Sequence, residues 1–317
     1  MHTNESQPSP WHDGERAMQA TVGVVDRMEA VGKRVMRDYM LDQHREFFEK
    51  QSRLMVGLVD ADGWPWATII EGAPGFIQTP SPRRLAVQAL PSMNDPAFAG
   101  FREGACIGLL GLEFHTRRRN RLNGRIEELN ESGFSVEVVQ SYGNCPQYIQ
   151  TRTPIGATVD DAGFEVESLE GLDEEASDLV ETSDTFFVAS YADAGGRVAS
   201  RQVDVSHRGG KPGFVLVEGN VLTIPDFAGN MFFNTLGNIL ETGRAGLLFA
   251  DFANGHVLQV TGEARVELHS KRTQAFHGAE RSWTVHIDRV VRRRRALNQR
   301  LTLDEYSPNN LMTGSWD

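Results

Sequence analysis

Three glycines in one half of the chain recur in the other half at a constant offset. Gly75 and Gly108 are 33 positions apart (108 − 75), as are Gly213 and Gly246 (246 − 213), and both Gly108 to Gly124 and Gly246 to Gly262 span 16. One offset of 138 carries all three, and the neighbouring words agree: P-G-F-I faces P-G-F-V, and I-G-L-L faces A-G-L-L. A repeat this long means paired domains, not a solenoid. A chain of 317 residues has room for two domains of ordinary size.

Each half reads as short strands punctuated by turns. In the first, R-L-M-V-G-L-V-D and W-A-T-I-I-E flank Asp62-Gly63, a hairpin signal. In the second, Phe186 to Tyr191 and V-A-S-R-Q-V flank A-D-A-G-G, and a helix is expected from Asn230 to Thr242. Ahead of both, Met18, Val22, Val25, Met28, Val31 and Val35 recur at helical spacing, behind a polar stretch to residue 14 that reads as frayed. The expected organisation is a helical extension (1–44), a first, diverged unit (45–155), an acidic linker (156–180), a second unit carrying the binding site (181–290), and a C-terminal helix and tail (291–317). The fold class is mainly β with flanking helices (α+β), built on small β-barrels.

The halves differ in one measurable way. Ala67 to Pro74 is seven positions and Ala199 to Pro212 is thirteen, which assigns six extra residues to the second half, within V-D-V-S-H-R-G-G-K. That stretch holds a polar strand, Arg201 to Ser206, then Arg208, Gly209, Gly210, Lys211 and Gly213, and further on an Asn-bearing segment that starts a helix. A phosphate wants those parts: glycine lets N–H groups approach, Arg and Lys donate charge-assisted bonds, and a helix start adds its dipole. The plainer alternative is a solvated hairpin loop.

Composition narrows the partners. A net charge of −11 argues against nucleic-acid binding, and much of it lies in the acidic run Asp160 to Asp178. Cys106 and Cys145 have no metal-ligand spacing, no leader-like segment is evident, and no apolar run reaches membrane length, so a cytoplasmic protein is expected. Cys106 reads as core, Cys145 as structural, Trp283 as half-buried on a final strand, and His44 and His207 as exposed histidines. Arg117, Arg118, Arg119 and Arg121 form one cationic cluster, and Arg292 to Arg295 another on the C-terminal helix; both read first as solvated surface or as partners of the acidic linker.

The run D-V-S-H-R-G-G-K-P-G-F-V, with L-T-I-P-D-x-x-G-N, N-I-L, A-G-L-L-F and V-T-G-E-A-R-V, resembles the pyridoxamine 5′-phosphate oxidase-like, FMN-binding split-barrel superfamily. The first half is similar to it through W-P-W-A-T, P-G-F, R-R-R-N-R-L-N-G and Y-G-N-C-P-Q-Y-I-Q-T-R. Coverage is about residues 45 to 290, strongest from Ala199 to Val266.

The resemblance implies tandem split β-barrels of the FMN-binding type and an FMN-dependent oxidoreductase acting on an unidentified small molecule. The alternative is a non-catalytic flavin or haem carrier or sensor. It implies Arg201 and Ser206 toward the flavin phosphate, Gln202, Val203 and Asp204 beside the ring, Thr223, Ile224 and Pro225 on the next strand end, and Asn230 at the helix start. Two cations of the oxidase pattern are replaced here by Ser206 and Asn230, so Arg208 and Lys211 are expected to hold the phosphate and Arg117 and Arg118 are not. A homodimer and a nicotinamide nucleotide or partner reductase as electron donor complete the expectation.

Overall fold

The computed structural model describes residues 9–157 and 165–316. The chain opens with α1 (Asp13–Thr21), α2 (Val25–Val35) and α3 (Asp42–Glu49), then runs through β1 (Arg53–Val59), β2 (Pro65–Glu71), β3 (Ile77–Ser81), β4 (Arg84–Val87), β5 (Cys106–Glu113), β6 (Arg118–Asn130) and β7 (Gly133–Gly143). β8 (Thr151–Ala157), β9 (Glu165–Leu169) and α4 (Glu174–Thr182) lead to β10 (Thr185–Asp193), β11 (Arg201–Gly209), β12 (Leu216–Glu218) and β13 (Val221–Phe227). α5 (Asn234–Thr242), β14 (Arg244–Asp251), β15 (His256–Glu267), α6 (Lys271–Ala275), β16 (Ala279–Arg294), β17 (Gln299–Glu305) and the single turn α7 (Pro308–Leu311) complete it.

The protein is mainly β with a few helices, its sheets antiparallel. One sheet runs β2-β1-β5-β6-β7-β4-β3 and the other β11-β10-β14-β15-β16-β13-β12, the same order of equivalent strands. Each has its own core, one around Phe48, Leu54, Ile107 and Leu122, the other around Phe186, Leu222, Leu247 and Trp283. A third apolar layer, with Met55, Ala67 and Leu110 from one sheet and Phe187, Val205 and Leu248 from the other, lies between them. β1 is therefore buried along its whole length, as is β10 up to its last residue. Strands covered on both faces read as unbroken apolar runs, as these do.

One of the repeated glycine pairs, Gly108 and Gly246, sits where the sheets touch. A Cβ on Gly108 would collide with the Asp204 backbone, and one on Gly246 with the Pro65 carbonyl. Only a residue without a side chain lets the edge strand of the opposite sheet cross so closely.

Pairing relocates the six-residue difference. Gly57 lies opposite Gly108 and Ala67, while Ala189 lies opposite Gly246 and Val205. Ala67 thus corresponds to Val205 (205 − 67 = 138) and Gly57 to Ala189 (189 − 57 = 132), so the extra residues fall in the β10–β11 hairpin and not in S-H-R-G-G-K. That turn is the same in both halves: Phe76 N donates to Ala73 O as Phe214 N does to Lys211 O.

Other expectations also change. Arg292 to Arg294 end strand β16 instead of lying on a C-terminal helix, and Arg292 pairs with Glu167, Asp173 and Glu175 of the acidic segment. That segment contributes strand β9, paired to β16, besides α4; its residues 158–164, like residues 1–8 of the frayed stretch, lie outside the described residues. Trp11, His12 and Gly14 are buried, as is His44, whose Nδ1 lies 3.2 Å from Ser141 Oγ. Trp283 is fully buried, whereas Cys106 is half-buried with its thiol on Arg201 O. Among the described residues no helix is long and apolar enough to cross a membrane, and no group of His, Cys, Asp and Glu could hold a metal.

Candidate functional site

A solvent-open cleft lies where the start of β6 and the segment after β7 meet β11, the end of β13 and the start of α5. Alternation along β11 decides what faces it. Ser206 and Arg208 point toward the cleft, while the ring of His207 turns away to an edge-on contact with Phe187, 5.8 Å between centroids. His207 is buried, not exposed, and burial followed by the charges of Arg119, Arg152 and Arg208 holds its imidazole well below the usual range.

Arg121 anchors the back wall. Its Nη1 donates to Asn234 Oδ1 (2.8 Å) and Tyr142 Oη (3.0 Å) and meets Asp204 at 2.5 Å, and its Nη2 donates to Ser206 Oγ. Thr235 Oγ1 donates to the same Ser206 hydroxyl at 3.1 Å. Burial pushes the Asp204 carboxyl up against the pull of Arg121 and the Ser206 hydrogen bond.

Arg119 is placed differently. Its Nε donates to Cys145 O (2.9 Å) and its Nη1 to His207 O (3.3 Å), so its hydrogen-bond partners among the described residues are carbonyls. Burial, then the neighbouring charges of Arg121 and Arg208, push its guanidinium down to about 9. The group stays protonated at neutral pH, a buried cation with two like charges, Arg121 and Arg208, beside it. Arg208 meets Asp226 at 2.7 Å, and Asp226 also holds Arg281 at 2.9 Å.

The start of α5 opens onto this cluster. Phe233, at the N-cap position, has φ 62° and provides no capping side chain, and Met231 shares the left-handed conformation at φ 62°. Two bulky residues held there mark a loop whose shape is imposed by its surroundings. The first N–H groups of α5 are left without a cap beside Asn234 and Thr235, and Asn144 Nδ2, Arg121 Nε and Arg208 Nε are buried without partners. Three unpartnered donors beside a cation-lined, uncapped helix start are complementary to an anion.

Of the residues expected at the site, Ser206, Arg208, Pro225 and Asn230 line the cleft, and Asp204 stands behind it on Arg121. Asn230 precedes the helix instead of starting it, its Oδ1 accepting from Phe232 N at 3.1 Å. Thr223 and Ile224 are buried within β13, Ile224 in the core. Lys211 is outside, its ammonium donating to Thr313 O. Gln202 and Val203 line a different groove with Cys106 and Asn123, and Arg201, on its edge, grips Asp193 through two bonds of 2.7 and 2.8 Å. Asn144, Asn234 and Thr235 were not expected, and Arg119 and Arg121 belong to the cluster read first as surface, with an anion-binding role only if it faced the second unit's pocket. The i, i+2 spacing of Arg119 and Arg121, which puts both on one face of a strand, was the available signal.

No protein-family profile matches the chain, and no curated protein matches it. Among solved structures it is similar to HupZ from Group A Streptococcus, with 16% identity over 38% of this chain and 91% of that one and a TM-score of 0.29. It is also similar to a protein of Lactobacillus delbrueckii provisionally named a pyridoxamine 5′-phosphate oxidase, with 16% identity over 33% and 95% and a TM-score of 0.27. A complex of MrkH from K. pneumonia with c-di-GMP matches with 8% identity over 80% and 87% and a TM-score of 0.23. These scores carry no assignment.

Proposed function

We propose that the cleft is the phosphate end of an FMN site, and that the chain is a tandem split-barrel flavoprotein of the pyridoxamine 5′-phosphate oxidase-like superfamily, an FMN-dependent oxidoreductase acting on a small molecule. The observation that carries this reading is the uncapped start of α5 facing Arg119, with unpaired donors around it. The common strand order of the two sheets supports the tandem part.

In this reading Arg119, Asn144 and the first N–H groups of α5 hold the phosphate, Arg121 and Ser206 fix the floor beneath it, and Tyr148 with Phe227, 5.2 Å between ring centroids, forms an aromatic wall. FMN, when bound, supplies the electron-transfer chemistry and the chain supplies position and electrostatics. Arg208 contributes less charge than its place suggests, because Asp226 already neutralises it. The reading includes a homodimer, checked by light scattering against the 35.2 kDa chain mass, and a nicotinamide nucleotide or partner reductase as electron donor. A non-catalytic flavin carrier is the second reading. It is favoured by the fact that Asp226 and Glu280, the cleft carboxylates, are both tied to arginines.

Fluorescence titration of the apo-protein tests the assignment. FMN is expected to bind at least about a hundredfold more tightly than riboflavin, which lacks the phosphate, and Arg119→Ala to lose about ten- to hundredfold for FMN and nothing for riboflavin. Equal affinities would remove the phosphate from this cleft, and no binding of either would remove the flavin.

A further inference from the structure

Beside the cleft, and outside everything assigned to it so far, lies a buried carboxylate from the N-terminal segment. Glu15 of α1 is 4% exposed. Its Oε2 accepts from His12 N at 3.0 Å, closing a capping box, and its Oε1 accepts from Asn234 Nδ2. Asn234 then turns its Oδ1 toward Arg121, the group that anchors the cleft wall. We propose that Glu15 is a positioning residue of the anion cleft, fixing which way round the Asn234 amide stands and holding a proton while an anion is bound. This inference rests on the reading of the cleft as an anion site.

The placement is rigid. α1 meets the first turn of α5 backbone to backbone: a Cβ on Gly14 would collide with Gly237 O, and one on Gly237 with the backbone of Glu15. Trp11 packs on Phe232, 4.9 Å between ring centroids, in the loop that carries the left-handed Met231 and Phe233. Without an acceptor at Glu15 the Asn234 amide has no reason to keep its oxygen toward Arg121. Reversed, it would set an NH₂ group against a guanidinium.

The groups facing Glu15 are His12 and Asp13 on α1, Arg121 on β6, Tyr142 on β7, Asp204 on β11, and Asn234 on α5, with Glu241 on the same helix beside Gly14. His12 is held down to about 4 by burial and is neutral near pH 7, while burial pushes the Tyr142 phenol above its usual range. Arg121 is thus the cation set against Glu15, while Asp204 feels both Arg121 and Arg208. Burial pushes Glu15 up to about 8, the bonds from His12 N and Asn234 pulling down and Asp204 adding to the rise. An anion in the cleft repels a second negative charge, so the liganded protein holds the Glu15 proton more tightly than the free one. Affinity should therefore be level up to about pH 8 and fall above it, a window well clear of the second ionisation of a phosphate ester near about 6.

The test is FMN affinity of the full chain from pH 7 to 9.5 for wild type, Glu15→Gln and Glu15→Ala. Wild type is expected to lose about three- to tenfold per pH unit above 8, ten being the limit for one linked proton. Glu15→Gln, which imitates the protonated acid, should bind within about threefold of wild type at pH 7 and show no such slope, and Glu15→Ala should bind about tenfold more weakly throughout. A flat wild-type profile, or the same slope in Glu15→Gln, overturns the inference and leaves the flavin reading standing. Absence of FMN binding at every pH removes the flavin reading instead. The same slopes, read as thermal stabilisation by inorganic phosphate, then decide this one.

Discussion

The cleft beside Arg121 has a counterpart across the molecule, where Gln259 stands at the position of Arg121 (259 − 121 = 138) and Thr68 at that of Ser206 (206 − 68 = 138). There the chain supplies its own anion. Asp95 accepts from Thr68 Oγ1 and Gln259 Nε2, caps the turn Pro96–Gly100 through Ala97 N, and pairs with Arg293 at 2.8 Å, both side chains buried. In the cleft the residue opposite Arg119, as Arg293 is opposite Val257, is Asn144, and its Nδ2 has no partner. The helix start has Phe233 where the other side has Asp95. The same framework is closed where a carboxylate caps the helix start and open where that cap is missing, which supports the proposal that an anion takes the capping place.

Asp95→Ala should break the closed side most severely. It strands Arg293 in a buried position, at a cost of about 3–5 kcal/mol in urea denaturation, part of it recovered by added phosphate. A loss under about 1 kcal/mol would mean that packing, not the ion pair, seals that side. Next in size is a pH effect confined to the open side. Between about 4 and 6.5 unfolded His12 takes a proton that the folded protein refuses, so its contribution to stability rises with pH. Between about 4.5 and 8 folded Glu15 holds a proton that the unfolded chain has lost, so its contribution falls. From 6.5 to 8 Glu15 acts alone, and stability should drop by up to about 2 kcal/mol, a slope that Glu15→Gln removes.

Copying the closed side into the open one sharpens the comparison. Phe233→Asp places a capping carboxylate beside Arg119 in a conformation Asp tolerates, and should weaken FMN by about tenfold or more while raising Tm by a few degrees. Unchanged affinity would place the ligand away from the helix start. The smallest expected effect belongs to Arg117→Ala, Arg118→Ala and Lys211→Ala, each within about threefold in FMN affinity. Arg117 is engaged by Ile149 O and Glu305, Arg118 lies over Phe47, and Lys211 holds Thr313 O, all away from the cleft.

The two sheets were legible because Gly108 and Gly246 mark places where one strand crosses another, and backbone contact leaves no residue type but glycine. The cleft was half legible. Ser206, Arg208 and Asn230 announced themselves as donors near a helix start, but Arg119 and Arg121 come from more than eighty residues upstream, and a run of arginines reads equally well as solvated surface. The six-residue difference was misplaced because Ala67 and Ala199 sit in similar words, whereas hydrogen-bond register pairs Ala67 with Val205's place. Arg292 to Arg294 read as helical because β16 loses its alternation there, each arginine having a carboxylate or Gln259 to meet on either face. Glu15 carried no signal at all, since a capping box looks the same on a solvent-facing helix.

One chain carries both sheets, and that frees its two sides from each other. In a pair of identical subunits every substitution is made twice, so a residue that shuts one pocket shuts its mate, and neither can be traded for stability without losing both. Here residue 95 can change while residue 233 stays, and one side is fastened by its own carboxylate while the other, on the proposed reading, is left for a ligand. However many copies assemble, occupancy should stay at one ligand per chain.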